Sequence, residues 1–200
     1  MKYTQIKNEI ILASKSKVRK EILERNNIKC KVIISNIDED PIKKSLLNEG
    51  ASPEIISKNL AEIKALKVSQ TKENELVLGA DSVIDFNNTI ISKPTNRTEA
   101  LNILIKLNGK KHHLVSSVSI CKNGVMIWNY TDKAELTMKN FTENELKAYL
   151  KKISDEKLYA YNVYQIEGEG RSLFSKIKGD ENTIMGLPID KIKEYLKNYE

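Results

Sequence analysis

HLVSSVSICK (residues 113–122) and VMIWNYTDKAELTMK (residues 125–139) flank the dipeptide Asn123-Gly124. Both segments alternate apolar with polar side chains, the period of a half-buried strand. Asn-Gly favours the positive φ angles of a two-residue turn, so the stretch predicts a β-hairpin and an antiparallel region of sheet. Toward the N-terminus, ELVLGADSVI (75–84) reads as a buried strand that runs into a polar break after Asp81. Before it, the apolar run Ile10 to Ala13 is followed by small and basic residues, then by a helical spacing of Val18, Ile22 and Leu23. Strand, loop and helix beside a hairpin predict an α/β chain with a mixed sheet.

The remaining elements follow from local signals. KCKVIISNI (29–37) reads as a short strand ending in the acidic turn Asp38-Glu39-Asp40-Pro41. Ile56, Leu60 and Ile63 recur at helical intervals from Pro53 to Val68, with Ser52 as N-cap and Pro53 in the first helical position. A helix from Thr98 to Leu107 stops at Asn108-Gly109. Thr142 to Ile153 is an amphipathic helix whose TENE start fits a capping box, and a last helix runs from about Asp190 to the end. YQIEGEGRSLFSKIKGDENTIMGLP (164–188) reads as strands and tight turns because of its glycines. No repeat or linker interrupts the sequence, so residues 1–200 are expected to form one domain.

Composition narrows the function. The 200 residues carry a formal charge of +6 and a pI near 9.1, which favours polyanionic partners. Acids are interleaved with the lysines, as in KKISDEK, so no single basic stripe points to nucleic acid. Trp128 and few other aromatics offer little for base stacking. No run reaches the ~18 apolar residues of a membrane span, and MKYTQIKNEI is too polar for a secretory segment, so a cytoplasmic location without membrane contact is expected. Cys30 and Cys121 lack CxxC spacing and are expected to be buried apolar residues rather than a disulfide or zinc site. His112 and His113 are adjacent on a strand, so they point to opposite faces and do not share a metal.

Four polar clusters stand where predicted strands end, the place where open α/β sheets bind ligands. Ser14-Lys15-Ser16-Lys17-Val18-Arg19 sets hydroxyls, cations and a guanidinium at a helix N-terminus, a combination suited to phosphate. It lacks the glycines of a Walker A loop. Asp38-Glu39 and Asp81 supply carboxylates, which hold a hard divalent cation or accept a proton from attacking water. Lys93, in Ser92-Lys93-Pro94, and Lys64 can each neutralise a phosphate.

In order and spacing these segments resemble the Maf family of nucleotide pyrophosphatases. The resemblance runs from about Ile10 to Pro188 and rests on LASKSKVRKEIL, IDE at 37–39, AEIKA around Lys64, LGADSVI, SKP, LNGKKH, and GEG followed by GDENTIMGLP. It implies a central curved mixed sheet between helical lobes, similar to inosine triphosphate pyrophosphatases, with a nucleotide cleft. It also implies Mg²⁺- or Mn²⁺-assisted attack of water on a nucleoside triphosphate, releasing pyrophosphate. Carried onto this chain, Asp81 is the proton acceptor or a metal-anchoring carboxylate, Glu39 helps place the metal, and Ser14, Ser16, Arg19, Lys64 and Lys93 bind the triphosphate. A homodimer is a further implication.

The chain departs from the family pattern at one place. Where many members carry Asp-Lys-Ala-Gly and then Tyr-Gly-Ile-Gln-Gly, this sequence has Tyr159-Ala160-Tyr161-Asn162 and then Tyr164-Gln165-Ile166-Glu167-Gly168. Glutamine both donates and accepts, whereas the Glu167 carboxylate only accepts. That suits the N1–H and amine of a guanine-type or modified base better than uracil or thymine. The missing lysine keeps open a nucleotide-binding regulator of cell division that does not hydrolyse its ligand, and the basic pI keeps open a nucleic-acid-binding module.

Overall fold

A computed structural model describes residues 9–199; Met1 to Asn8, most of the polar opening segment, and Glu200 lie outside them. The chain order is β1 (Ile10–Leu12), α1 (Lys17–Arg25), β2 (Cys30–Val32), α2 (Glu39–Asn48), α3 (Pro53–Ser69), β3 (Val77–Phe86), β4 (Thr89–Ile91), α4 (Arg97–Leu107), β5 (Lys111–Lys122) and β6 (Val125–Met138). After these come α5 (Glu143–Lys151), α6 (Asp155–Tyr161), a 3-10 turn (Glu169–Leu173), β7 (Phe174–Lys178), α7 (Glu181–Ile184) and α8 (Ile189–Tyr199). The expected α/β class holds: a seven-stranded mixed sheet in the order β2-β1-β3-β5-β6-β7, with β4 on β3 and helices flanking it.

β3 is the axis of this sheet. Its first residues pair parallel with β1, through Ile11 with Val77 and Leu12 with Leu78, and its last three pair antiparallel with β4, from Ile84 with Ile91 to Phe86 with Thr89. Its other edge pairs with β5 from Val77 to Asp85. β1 and β4 therefore share one edge of β3 and leave the stretch around Ala80 to Val83 unpaired by any strand on that side. Into this gap the chain leaves β1 through Ala13 and Ser14 and leaves β4 through Ser92 and Lys93, from opposite directions.

On one sheet face, the upper cluster of Leu78, Ala80, Val118 and Ile120 packs with Ile22 and Leu23 of α1 and Ile192 and Leu196 of α8. The lower cluster joins Ile84, Phe86, Leu114 and Leu136 to Leu104 of α4 and Leu146 of α5. Between the clusters runs a polar row in register across three strands, Ser82 beside Ser116 and Ser116 beside Asp132. The opposite face carries α3. There Gly79 lets the helix come close, since a Cβ on it would stand 2.1 Å from the Ala61 carbonyl oxygen and 2.8 Å from the Ala65 nitrogen.

Several expectations are borne out. Ser52 caps α3 ahead of Pro53. The capping box at Thr142 and Glu145 is complete. Asn123 and Gly124 both take positive φ in the hairpin turn. His112 is buried and His113 half-exposed, on opposite faces.

Others need correction. The strand through Asp81 does not end there but continues to Phe86, because Asp81 finds a partner on α3 and Ser82 and Asp85 find theirs on β5 and β6. The Asp38–Pro41 turn is the start of a helix: Asp38 caps it by accepting from the Asp40 nitrogen. The preceding strand stops at Val32. Residues 164–188 hold a single strand between the 3-10 turn and α7 rather than several strands, since the carboxylate of Asp180 caps a helix at the Thr183 nitrogen. α6 was not expected. Cys121 is buried, but Cys30 is only half-buried.

Two predictions follow from packing. Gly79→Ala should lower stability by about 1–3 kcal/mol by driving α3 from the sheet, read as a lower denaturant midpoint. His112 donates or accepts at Nε2 with the Tyr164 hydroxyl at 2.9 Å, and its Nδ1 has no hydrogen-bond partner among the described residues. Burial, reinforced by His113, lowers its pKa from 6.5 to about 4. The unfolded chain therefore takes up this proton first. Stability should fall as pH drops from 6.5 to about 4, by about 3 kcal/mol, and His112→Gln should flatten that slope in pH-dependent denaturation.

Candidate functional site

The unpaired edge of β3 is where the polar clusters meet. Asp81 projects from mid-strand toward α3, and one helical turn beyond Ala61 and Gly79's contact lies Lys64. Its ammonium donates to Asp81 Oδ1 at 2.7 Å and lies 2.8 Å from Glu39 Oε1. The Lys64 and Asp81 side chains are only 11% and 8% exposed, so both charges are largely dehydrated and depend on each other. Asp81 Oδ2 is buried with no hydrogen-bond partner among the described residues. Ser57 Oγ, two helical turns before Lys64 on α3, donates to the Asp81 carbonyl at 3.1 Å and fixes helix against strand.

Glu39, first residue of α2, also accepts from Lys43 Nζ at 3.0 Å. Burial alone would raise its carboxyl, but Lys64, and after it Lys43, hold it down to about 2. Burial opposes the Lys43 ammonium, yet the Glu39 hydrogen bond leaves its pKa above the ordinary value.

On the other side of the strand edge lies Arg19. Its Nε donates to the Gly186 carbonyl at 2.9 Å, Nη1 to Ser14 Oγ at 3.2 Å and to the Ala80 carbonyl at 2.9 Å, and Nη2 to Ser82 Oγ at 3.2 Å. Burial lowers its pKa, against the pull of Asp81 and Glu39. Ser14 Oγ accepts from the Ser16 nitrogen, and Ser16 caps α1 by accepting from the Arg19 nitrogen. Lys93 is exposed beyond β4. Partial dehydration and then the Arg19 charge lower its pKa, while Glu39 and Asp81 raise it, which sets its ammonium within electrostatic reach of the cluster.

Ser14, Ser16, Arg19, Glu39, Lys64, Asp81 and Lys93, far apart in sequence, are thus drawn to one gap. Glu167 is not among them. It is exposed, accepts from Gln165 Nε2 at 3.4 Å, and sits in the loop before the 3-10 turn. That loop also borders a cavity of about 170 Å³ lined in part by Tyr149, Lys152, Tyr164 and Gln165.

Sequence reading missed Lys43 and the polar row. Lys43 was legible as the i+4 partner of Glu39 once Asp38 is recognised as an N-cap. In the row, Ser82 and Ser116 hydroxyls lie 2.8 Å apart, Ser116 donates to the Thr183 carbonyl at 2.7 Å, and Thr183 Oγ1 donates to Asp132 Oδ2 at 2.6 Å. Hydroxyls at inward positions of apolar strands were the available signal. Through this row the Asp180–Gly186 segment is tied to the sheet on one side and to Arg19 on the other.

The Maf-like protein family model matches residues 9–199. A nucleoside triphosphate pyrophosphatase of Pelagibacter ubique (strain HTCC1062) is 70% identical over 189 residues, covering 94% of this chain and 97% of the relative. A 7-methyl-GTP pyrophosphatase of Rhizobium johnstonii (strain DSM 114642 / LMG 32736 / 3841) is 35% identical, covering 90% of this chain and 91% of the relative. Among solved structures, the Staphylococcus aureus Ham1 protein is similar with a TM-score of 0.43 at 13% identity, covering 96% of this chain and all of that one. The family match over residues 9–199 and the 70% identity across 94% of the chain place this chain in the Maf-like protein family.

Proposed function

We propose that the chain is a nucleoside triphosphate pyrophosphatase, hydrolysing its substrate to the monophosphate and pyrophosphate at the gap beside Asp81. The observation that carries this reading is the placement of a buried Lys64–Asp81 pair and the half-buried Glu39 beside Arg19, Lys43 and Lys93. Those cations outnumber the carboxylates, an excess suited to a triphosphate. The 70% identity to the Pelagibacter pyrophosphatase supports it.

The carboxylates fit a divalent cation, Mg²⁺ or Mn²⁺. Asp81 Oδ2 is a buried carboxylate oxygen without a hydrogen-bond partner among the described residues, and Glu39 faces the same ammonium. Among the described residues no three His, Cys, Asp or Glu side chains gather as a metal site. Two carboxylates completed by phosphate oxygens and waters match the way Mg²⁺ is commonly held. Once bound, such an ion would neutralise phosphate charge and acidify water.

The chain's own residues position the reaction. Lys64, Lys93 and Lys43 oppose the charge of the phosphate oxygens. Asp81 takes the proton of the water that attacks the α-phosphorus as the bond to the pyrophosphate oxygen breaks, or would instead be one of the carboxylates that hold the metal. Arg19 has a different part. A guanidinium has five N–H groups, and protein acceptors take four at Arg19, so at most one is left for phosphate. It binds the Ser14 loop, β3 and Gly186 together and so sets the floor on which the phosphates rest.

Substrate choice is proposed to favour a guanine-type or modified base over dTTP and UTP, with Glu167 accepting from the base edge. The similarity to a 7-methyl-GTP pyrophosphatase supports this.

Pyrophosphate release from a panel of ordinary and modified triphosphates, with Mg²⁺ or Mn²⁺, tests the reading. Turnover should be lost by about 10²-fold or more in Asp81→Asn; binding without release in the wild type would instead make the chain a nucleotide sensor. Glu167→Gln should raise kcat/KM for dTTP relative to guanine nucleotides, and an unchanged ranking removes Glu167 from base selection. Arg19→Lys, which cannot reproduce the fork, should cost about 2–3 kcal/mol of stability and raise KM, measured by denaturation and steady-state kinetics.

A further inference from the structure

Lys64 does more than wait for phosphate. Its ammonium takes one oxygen from each of two carboxylates, Oδ1 of Asp81 and Oε1 of Glu39, the bridging position that a hard dication would also seek. The carboxylates come from the middle of β3 and the first residue of α2. Like charges at this spacing repel, more strongly where water is scarce, and the ammonium between them removes that repulsion. Lys64 also stands on a 17-residue helix pressed against Gly79, so its position is set by packing.

We propose that Lys64 is an internal cation that occupies the metal-holding pair in the free protein, so that a divalent ion enters only together with a triphosphate. This rests on the reading of Glu39 and Asp81 as the carboxylates that hold the metal. A free dication meets the Lys64 ammonium directly, with the positive charges of Lys43, Arg19 and Lys93 around it. A triphosphate reverses both conditions. It supplies the negative charge that offsets the surrounding cations, and its oxygens offer the ammonium's three donors a new set of acceptors. When the ammonium turns to phosphate, Oδ1 of Asp81 and Oε1 of Glu39 become open to the ion. Binding of metal and nucleotide is then positively coupled, and by linkage each raises the affinity of the other by the same factor.

The test is Mn²⁺ titration of the nucleotide-free protein, followed by loss of the free-ion EPR signal. Lys64→Gln and Lys64→Met should each bind Mn²⁺ at least about tenfold more tightly than the wild type, the range typical of a coupling between sites, and Lys64→Gln combined with Asp81→Asn should lose the gain. Equal affinity in the wild type and both single variants overturns the proposal. The wild type needs no substitution at 64 for a second measurement. Mn²⁺ alone should leave its Tm unchanged, whereas Mn²⁺ with a triphosphate whose α–β bridging oxygen is a methylene should raise it, and Asp81→Asn should lose that extra rise. A Tm increase from Mn²⁺ alone that Asp81→Asn abolishes overturns the internal cation but keeps the carboxylate pair. If Asp81→Asn gains as much from Mn²⁺ and the analogue together as the wild type does, the pair itself fails and the proposal with it.

Discussion

A lysine ammonium and an aspartate carboxylate, each mostly removed from water, face each other at 2.7 Å. Leaving either alone at that depth would cost several kcal/mol, so the pair constrains everything around it. α3 has to lie against β3 closely enough for Lys64 to reach, and only a residue without a Cβ at 79 allows it. Ser57 pins the same helix to the Asp81 carbonyl. β1 has to stop at Leu12 and β4 has to begin its pairing at Ile84, or the edge beside Asp81 would be filled by strand. The fold can be read as the set of conditions under which this pair is both buried and reachable.

Much of that was visible in the sequence, for reasons that differ by element. The hairpin at Asn123-Gly124 and the helix behind Ser52-Pro53 were legible because local turn and cap chemistry determines them. The site residues were legible one at a time, as charged groups in loops between apolar runs. Their convergence was not, because it depends on two strands sharing one edge of β3, a pairing with no local signature. The same blindness explains the early stop assigned at Asp81. A polar residue ends a strand in a sequence pattern, but here Asp81, Ser82 and Asp85 each meet a partner, so the strand passes through them. Asp38-Glu39 failed in the opposite sense: four turn-forming residues conceal an Asp cap, and with it Lys43.

The polar row explains how the 180–187 segment is joined to the strand edge beside Asp81. Ser82, Ser116 and Asp132 are in register between two apolar clusters, so this sheet face carries an apolar, a polar and again an apolar band. Such a band costs free energy unless each group is satisfied. Thr183 and Arg19 satisfy it, and in doing so they draw α7 and the Ser14 loop onto one line. A motif that looks like a glycine-rich loop in sequence thus acts as a strut, with Gly186 accepting from Arg19 at 2.9 Å and leaving no room for a side chain beside the guanidinium.

A site for a metal-bound triphosphate faces a difficulty when its ligand is gone. It needs carboxylates close together for the ion and cations close by for the phosphates, and neither set is stable by itself in a half-buried gap. In this chain the two carboxylates are paired with part of the cation set, Lys64 and Lys43. Glu39 is held ionised down to about pH 2 by Lys64 and Lys43, so the carboxylate keeps its charge without a metal, and the lysines are placed without a phosphate. The small carboxylate count then has a reason. If the pair holds a metal as proposed, a third acid would favour free cations, whereas two would leave the ion dependent on oxygens that the nucleotide brings. On the proposed coupling, recognition of the metal and recognition of the triphosphate would become one event, built from the ion pairs of the free protein.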